Sequence, residues 1–68
     1  MKATEKQIKK LYWLTNPDDL GITTTLISFQ DWCWKNLDQD ICYELISALE
    51  GNDIEKAKSI LKENNYKF

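Results

Sequence analysis

The sequence predicts an all-α protein, a single domain over residues 1–68, built from three to four short helices of which the last two form a tight antiparallel hairpin. Three observations favour this fold class. Apolar residues recur at the i, i+3, i+4 spacing of amphipathic helices. Thr, Asp and Asn stand where helix N-caps are expected. Only one segment is β-branched enough for a strand, and a lone strand could not satisfy its backbone hydrogen-bonding groups.

The first helix is predicted from its cap. Thr4 and Gln7 have the spacing of a capping box, in which each residue hydrogen-bonds the backbone of the other. Ile8 and Leu11 then begin an apolar face at helical spacing. The helix should end before Pro17, because the residue preceding a proline avoids helical backbone angles.

The second region, residues 16–36, is compatible with more than one type of secondary structure. Asn16 starts either a turn or a new helix with proline at its first position, and Gly21 would end it. The β-branched residues 22–27 are ambiguous between strand and helix. We favour a helix that is capped by one of the threonines and ends near Asn36, with a later start at Ser28 as the alternative. Such a helix runs through Ile27, Phe29 and Trp32.

The two final helices form the predicted hairpin. Asp38 is expected to cap the first of them, and Gly51 is expected just past its end. Asn52 and Glu55 have capping-box spacing and predict the start of the last helix, which Asn64-Asn65 should end, leaving residues 66–68 as a tail. The connection over residues 50–53 is so short that the helices must pack antiparallel. Their apolar stripes contain Ile41, Cys42, Leu45, Ile46, Ala48 and Leu49, then Ile54, Ala57, Ile60 and Leu61.

Composition argues against an enzyme. All nine basic residues are Lys, and the chain has neither His nor Arg, which excludes a His base, a His metal ligand and a Ser–His or Cys–His pair. Cys33 and Cys42 alone cannot close a zinc site, and Asp38 and Asp40 lack the Gly and Glu of a calcium loop. We therefore expect no catalytic residue, no metal and no cofactor, and we interpret both cysteines as reduced core thiols, with a disulfide as the less favoured alternative.

Location and charge give two further expectations. The first ten residues lack the apolar run of a signal peptide, and no stretch approaches a membrane span, so we expect a cytoplasmic protein without membrane contact. Residues 11–55 carry nine acids and one lysine, whereas residues 1–10 and 56–68 each carry four lysines and one acid. Either the basic ends fold over the acidic middle and neutralise it, or an acidic surface meets a basic partner.

The tryptophans predict a binding surface. Trp32 and Trp34 lie two residues apart and so point about 200° apart on a helix. A domain this small cannot bury both sides of one helix, so at least one indole should be partly exposed, and exposed Trp is enriched at binding hot spots. The predicted partner-binding residues are Trp34, Trp13, Trp32, Asp31 and Asp38.

Two alternatives stay open. Lys6, Lys9 and Lys10, with Trp13, could contact single-stranded nucleic acid, since lysines follow the phosphates while an aromatic ring stacks on a base. A homodimer could also cover Trp34.

The sequence Ala3-Thr4-Glu5-Lys6-Gln7-Ile8, followed by Leu11 and Leu14, resembles a small helical module of phage and plasmid recombination and single-strand-annealing accessory proteins. Residues 37–49 resemble the later helix of that module. The resemblance implies that the first helix packs on this later helix. It also implies that the chain is encoded by a phage or mobile element and has an accessory role in DNA metabolism. The resemblance does not identify an active site. We therefore expect a small non-catalytic protein that docks an aromatic–acidic surface on a nucleic-acid enzyme or host defence component and modulates or inhibits it.

Overall fold

The computed structural model describes all 68 residues and confirms the all-α fold class. It has no β-strand, only an isolated bridge between Lys2 and Asp38. The helices are α1 (Glu5–Leu14), α2 (Pro17–Leu20), α3 (Leu26–Asn36), α4 (Gln39–Glu50) and α5 (Ile54–Glu63). The sequence predicted three to four helices, and the fifth is α2, a single turn. Asn16 starts it by accepting a hydrogen bond from the Asp18 amide at 3.1 Å.

The helix starts follow side-chain caps. In α1 the Gln7 amide donates to Thr4 Oγ1 at 3.2 Å, and the Thr4 amide donates to Gln7 Oε1 at 2.9 Å, which confirms the predicted capping box. In α3 the Ser28 amide donates to Thr25 Oγ1 at 3.1 Å. The helix therefore begins at Leu26, earlier than the alternative start at Ser28, and residues 22–25 form no regular structure.

The start of α5 differs from its prediction. Asn52 has a φ of 54°, in the left-handed region, whereas an N-cap requires extended or similar backbone angles. Asp53 is the cap instead and accepts a hydrogen bond from the Lys56 amide at 3.2 Å. Asn52 instead belongs to the C-terminal end of α4, as the left-handed residue of a Schellman motif. In this motif the amide of the next residue, Asp53, donates to the Ala48 carbonyl at 2.8 Å.

The core lies where α1 packs on α3 and α4, α4 on α5, and α5 on α2. Sixteen apolar residues are buried there. The predicted tail contributes to this core, because the Tyr66 ring stands edge-to-face on Phe29 at 5.4 Å and on Trp32 at 4.8 Å between ring centroids. None of the five helices combines the length and apolar content needed to cross a membrane.

Candidate functional site

Trp32 and Trp34 lie on different sides of α3. Trp32 is half-buried and is covered by the Tyr66 ring. Trp34 keeps 43% of its surface exposed. This division follows from the helix pitch, which turns two residues by about 200° and so directs only one of the two indoles toward the core.

Trp34 lines a groove between α1 and α3, together with Ile8, Ile27 and Gln30; we call these four residues the α1–α3 groove. It consists of two adjoining depressions of ≈ 240 and ≈ 340 Å³. Ile8 is buried and forms the floor, whereas Ile27 is 71% exposed. Ile27 and Trp34 are seven residues apart, about two helical turns, and therefore stand on the same side of α3.

The rim of the groove carries two ion pairs. Lys35 Nζ lies 2.9 Å from Asp31 Oδ2, and Lys9 Nζ lies 3.8 Å from Glu5 Oε1. All four side chains are largely exposed, and such helical pairs contribute only about 0.3–0.5 kcal/mol each. Each carboxylate can therefore exchange its lysine for a cation of another molecule at little cost.

The side-chain amide of Gln30 has no partner inside the protein. Gln30 is half-buried in the groove, beside Ile8 and Trp34 in both depressions. Its amide neither donates nor accepts a hydrogen bond within the chain. The amide is partly exposed, so it can hydrogen-bond to solvent or to a bound molecule, and the same holds for the indole N–H of Trp34, which has no partner within the chain.

The structure brings together two of the five predicted partner-binding residues, Trp34 and Asp31. Trp32 belongs to the Tyr66 cluster. Trp13 is 82% exposed on α1, edge-to-face with Tyr12, and does not line the groove. Asp38 caps α4 by accepting a hydrogen bond from a backbone amide at 2.8 Å and also lies outside the groove.

The other groove residues are Ile8, Ile27 and Gln30, and the sequence did not predict them as binding residues. Ile8 looked like an ordinary core residue of α1, and it is indeed buried. The available signal for Ile27 was its seven-residue spacing from Trp34, which places both on one side of a helix. That spacing predicts a shared side but not whether another helix covers it.

The alternative nucleic-acid residues do share one face. Lys6, Lys9, Lys10 and Trp13 follow i, i+3, i+4, i+7 spacing on α1, and all four are exposed. Lys10 Nζ lies 3.0 Å from Glu50 Oε2 of α4, and Lys9 pairs with Glu5, which leaves Lys6 as the one lysine of this face without an ion pair.

Ion pairing leaves most of the acidic middle uncompensated. Only the pair between Lys10 and Glu50 joins a basic end to the acidic middle, because the other two pairs lie within one segment each. Direct pairing with the basic ends therefore does not neutralise residues 11–55. Seven of their nine acids form no salt bridge: Asp18, Asp19, Asp38, Asp40, Glu44, Asp53 and Glu55.

Cys33 and Cys42 are free thiols and are fully buried, which agrees with their interpretation as reduced thiols of the core. Burial raises the pKa of Cys42 to about 11, and the nearby Asp38 carboxylate adds to the rise. The pKa of Cys33 is raised further, by burial first and by Cys42 second. Both are therefore protonated at neutral pH, which makes them poor nucleophiles.

No group of three or more His, Cys, Asp and Glu side chains is placed to hold a metal ion. Comparison with known proteins identifies no relative: no protein-family model matches the chain, and no curated protein or solved structure is significantly similar to it.

Proposed function

We propose that this chain is a small, non-catalytic binding protein that docks the α1–α3 groove on a partner protein. The observation that carries the proposal is the exposed pair Ile27 and Trp34 above the buried Ile8. Two large apolar side chains in water contribute little to folding, and an exposed indole beside an apolar depression is typical of a binding hot spot.

Charge supports a partner with a basic surface. Seven acids of residues 11–55 have no salt bridge, and the chain has a net charge of −2. Such a surface accelerates encounter with a cationic protein and disfavours acidic ones. Asp31 at the rim of the groove can exchange Lys35 for a cation of the partner, since the existing pair is exposed.

The class of partner that we propose is a nucleic-acid enzyme or a host defence component, in the cytoplasm, which the bound chain modulates or inhibits by covering its surface. The support is the resemblance of residues 3–14 and 37–49 to an accessory module of phage and mobile-element recombination proteins. The packing of α1 on α4 agrees with what that resemblance implies. One of its contacts is the hydrogen bond that Gln7 Nε2 donates to the Gln39 carbonyl at 2.9 Å.

The proposal is tested by truncating one indole at a time. Wild-type protein is used to capture partners from a bacterial lysate, and the captured protein is purified and titrated against Trp34→Ala and Trp13→Ala. Trp34→Ala should weaken binding by about 30-fold, as for a hot-spot residue, with a melting temperature near that of the wild type. Trp13→Ala is the matched control, because Trp13 is at least as exposed but lies outside the groove. Loss of folding by Trp34→Ala, with unchanged affinity of its folded fraction, would contradict the proposal.

The second candidate function is binding of single-stranded nucleic acid by the lysine face of α1. It is favoured by the common face of Lys6, Lys9, Lys10 and Trp13. A fluorescence titration with oligothymidylate at low and moderate salt tests it. Micromolar, salt-sensitive binding that Lys6→Gln weakens would support this function over the protein partner, since released counterions make phosphate contacts sensitive to salt.

A further inference from the structure

We draw no further inference here: the strongest candidate, the α1–α3 groove on the outer side of α3, belongs to the site already described, and nothing in the structure shows what covers it, because both carboxylates of its rim are paired with lysines and the Gln30 amide is open to solvent.

Discussion

Tyr66→Ala should remove a large part of the stability of this protein. The Tyr66 ring contacts Phe29 and Trp32 edge-to-face at 5.4 and 4.8 Å, and it is the group that covers Trp32. Each such aromatic pair contributes about 0.5–1.5 kcal/mol beyond area burial. With the lost burial of a half-covered ring, we expect a loss of about 2–3 kcal/mol, roughly half of the 3–5 kcal/mol typical of a core this small.

The assay is a thermal and urea unfolding series followed by circular dichroism. A loss of about 2–3 kcal/mol corresponds to a fall in melting temperature of about 8–24 °C, at roughly 4–8 °C per kcal/mol for this chain length. Tyr43→Ala is the matched control, because Tyr43 is 69% exposed and should change stability by no more than about 0.5 kcal/mol. Equal melting temperatures of Tyr66→Ala and wild type, or an equal loss in Tyr43→Ala, would refute the packing of the C-terminal residues on α3.

Three other predictions follow from the backbone and the thiols. The unfolding free energy should fall as pH rises from 9 toward 11. The Cys42 thiol ionises near its ordinary pKa of 9.0 in the unfolded chain, whereas burial holds its pKa near 11 in the folded protein. Urea titrations over this pH range should show a shallower fall in Cys42→Ala. Gly21→Ala should destabilise the protein by about 1 kcal/mol, because the φ of Gly21 is 72°, in the left-handed region. Gly51→Ala should stabilise it by about 0.4–1 kcal/mol, because the φ of Gly51 is −83° and the added Cβ meets nothing closer than 3.4 Å. Paired thermal melts in which both variants change stability in the same direction would contradict this. Asp38→Ala should cost about 1 kcal/mol through the lost cap, measured against Asp40→Ala, whose side chain makes no hydrogen bond within the chain.

The features that the sequence predicted correctly depend on neighbours within a few residues. The capping box of Thr4 and Gln7, the cap at Asp38 and the helix end before Pro17 each depend on hydrogen bonds or steric limits over at most four positions. Local pattern is sufficient for such elements. The same local pattern gave the wrong cap for α5, Asn52 instead of Asp53, because both residue types favour caps and only the left-handed backbone at Asn52 decides between them.

The features that the sequence did not predict depend on contacts between distant segments. Tyr66 contacts Trp32 across 34 positions, and Ile8 lines the same groove as Trp34 across 26, so no local periodicity could indicate either arrangement. The exposure of Ile27 has the same origin. Periodicity shows which residues share a side of α3, but coverage of that side depends on where the other helices pack.

The packing of the helices explains why the outer side of α3 stays open. α3 packs chiefly on α1, whereas α4 is occupied by α1 and α5, and α2 lies on α5. None of the five helices covers Ile27 and Trp34, which therefore stay exposed in this structure. Burial of two such side chains from full exposure contributes about 3–6 kcal/mol. Trp34 is only 43% exposed and Ile27 71%, so the gain here is smaller and does not exceed the roughly 4–15 kcal/mol that association costs in lost freedom. The apolar groove alone would therefore bind weakly. For the proposed docking, polar contacts must supply the remaining affinity, and the acids of residues 11–55 that form no salt bridge are the groups available for them.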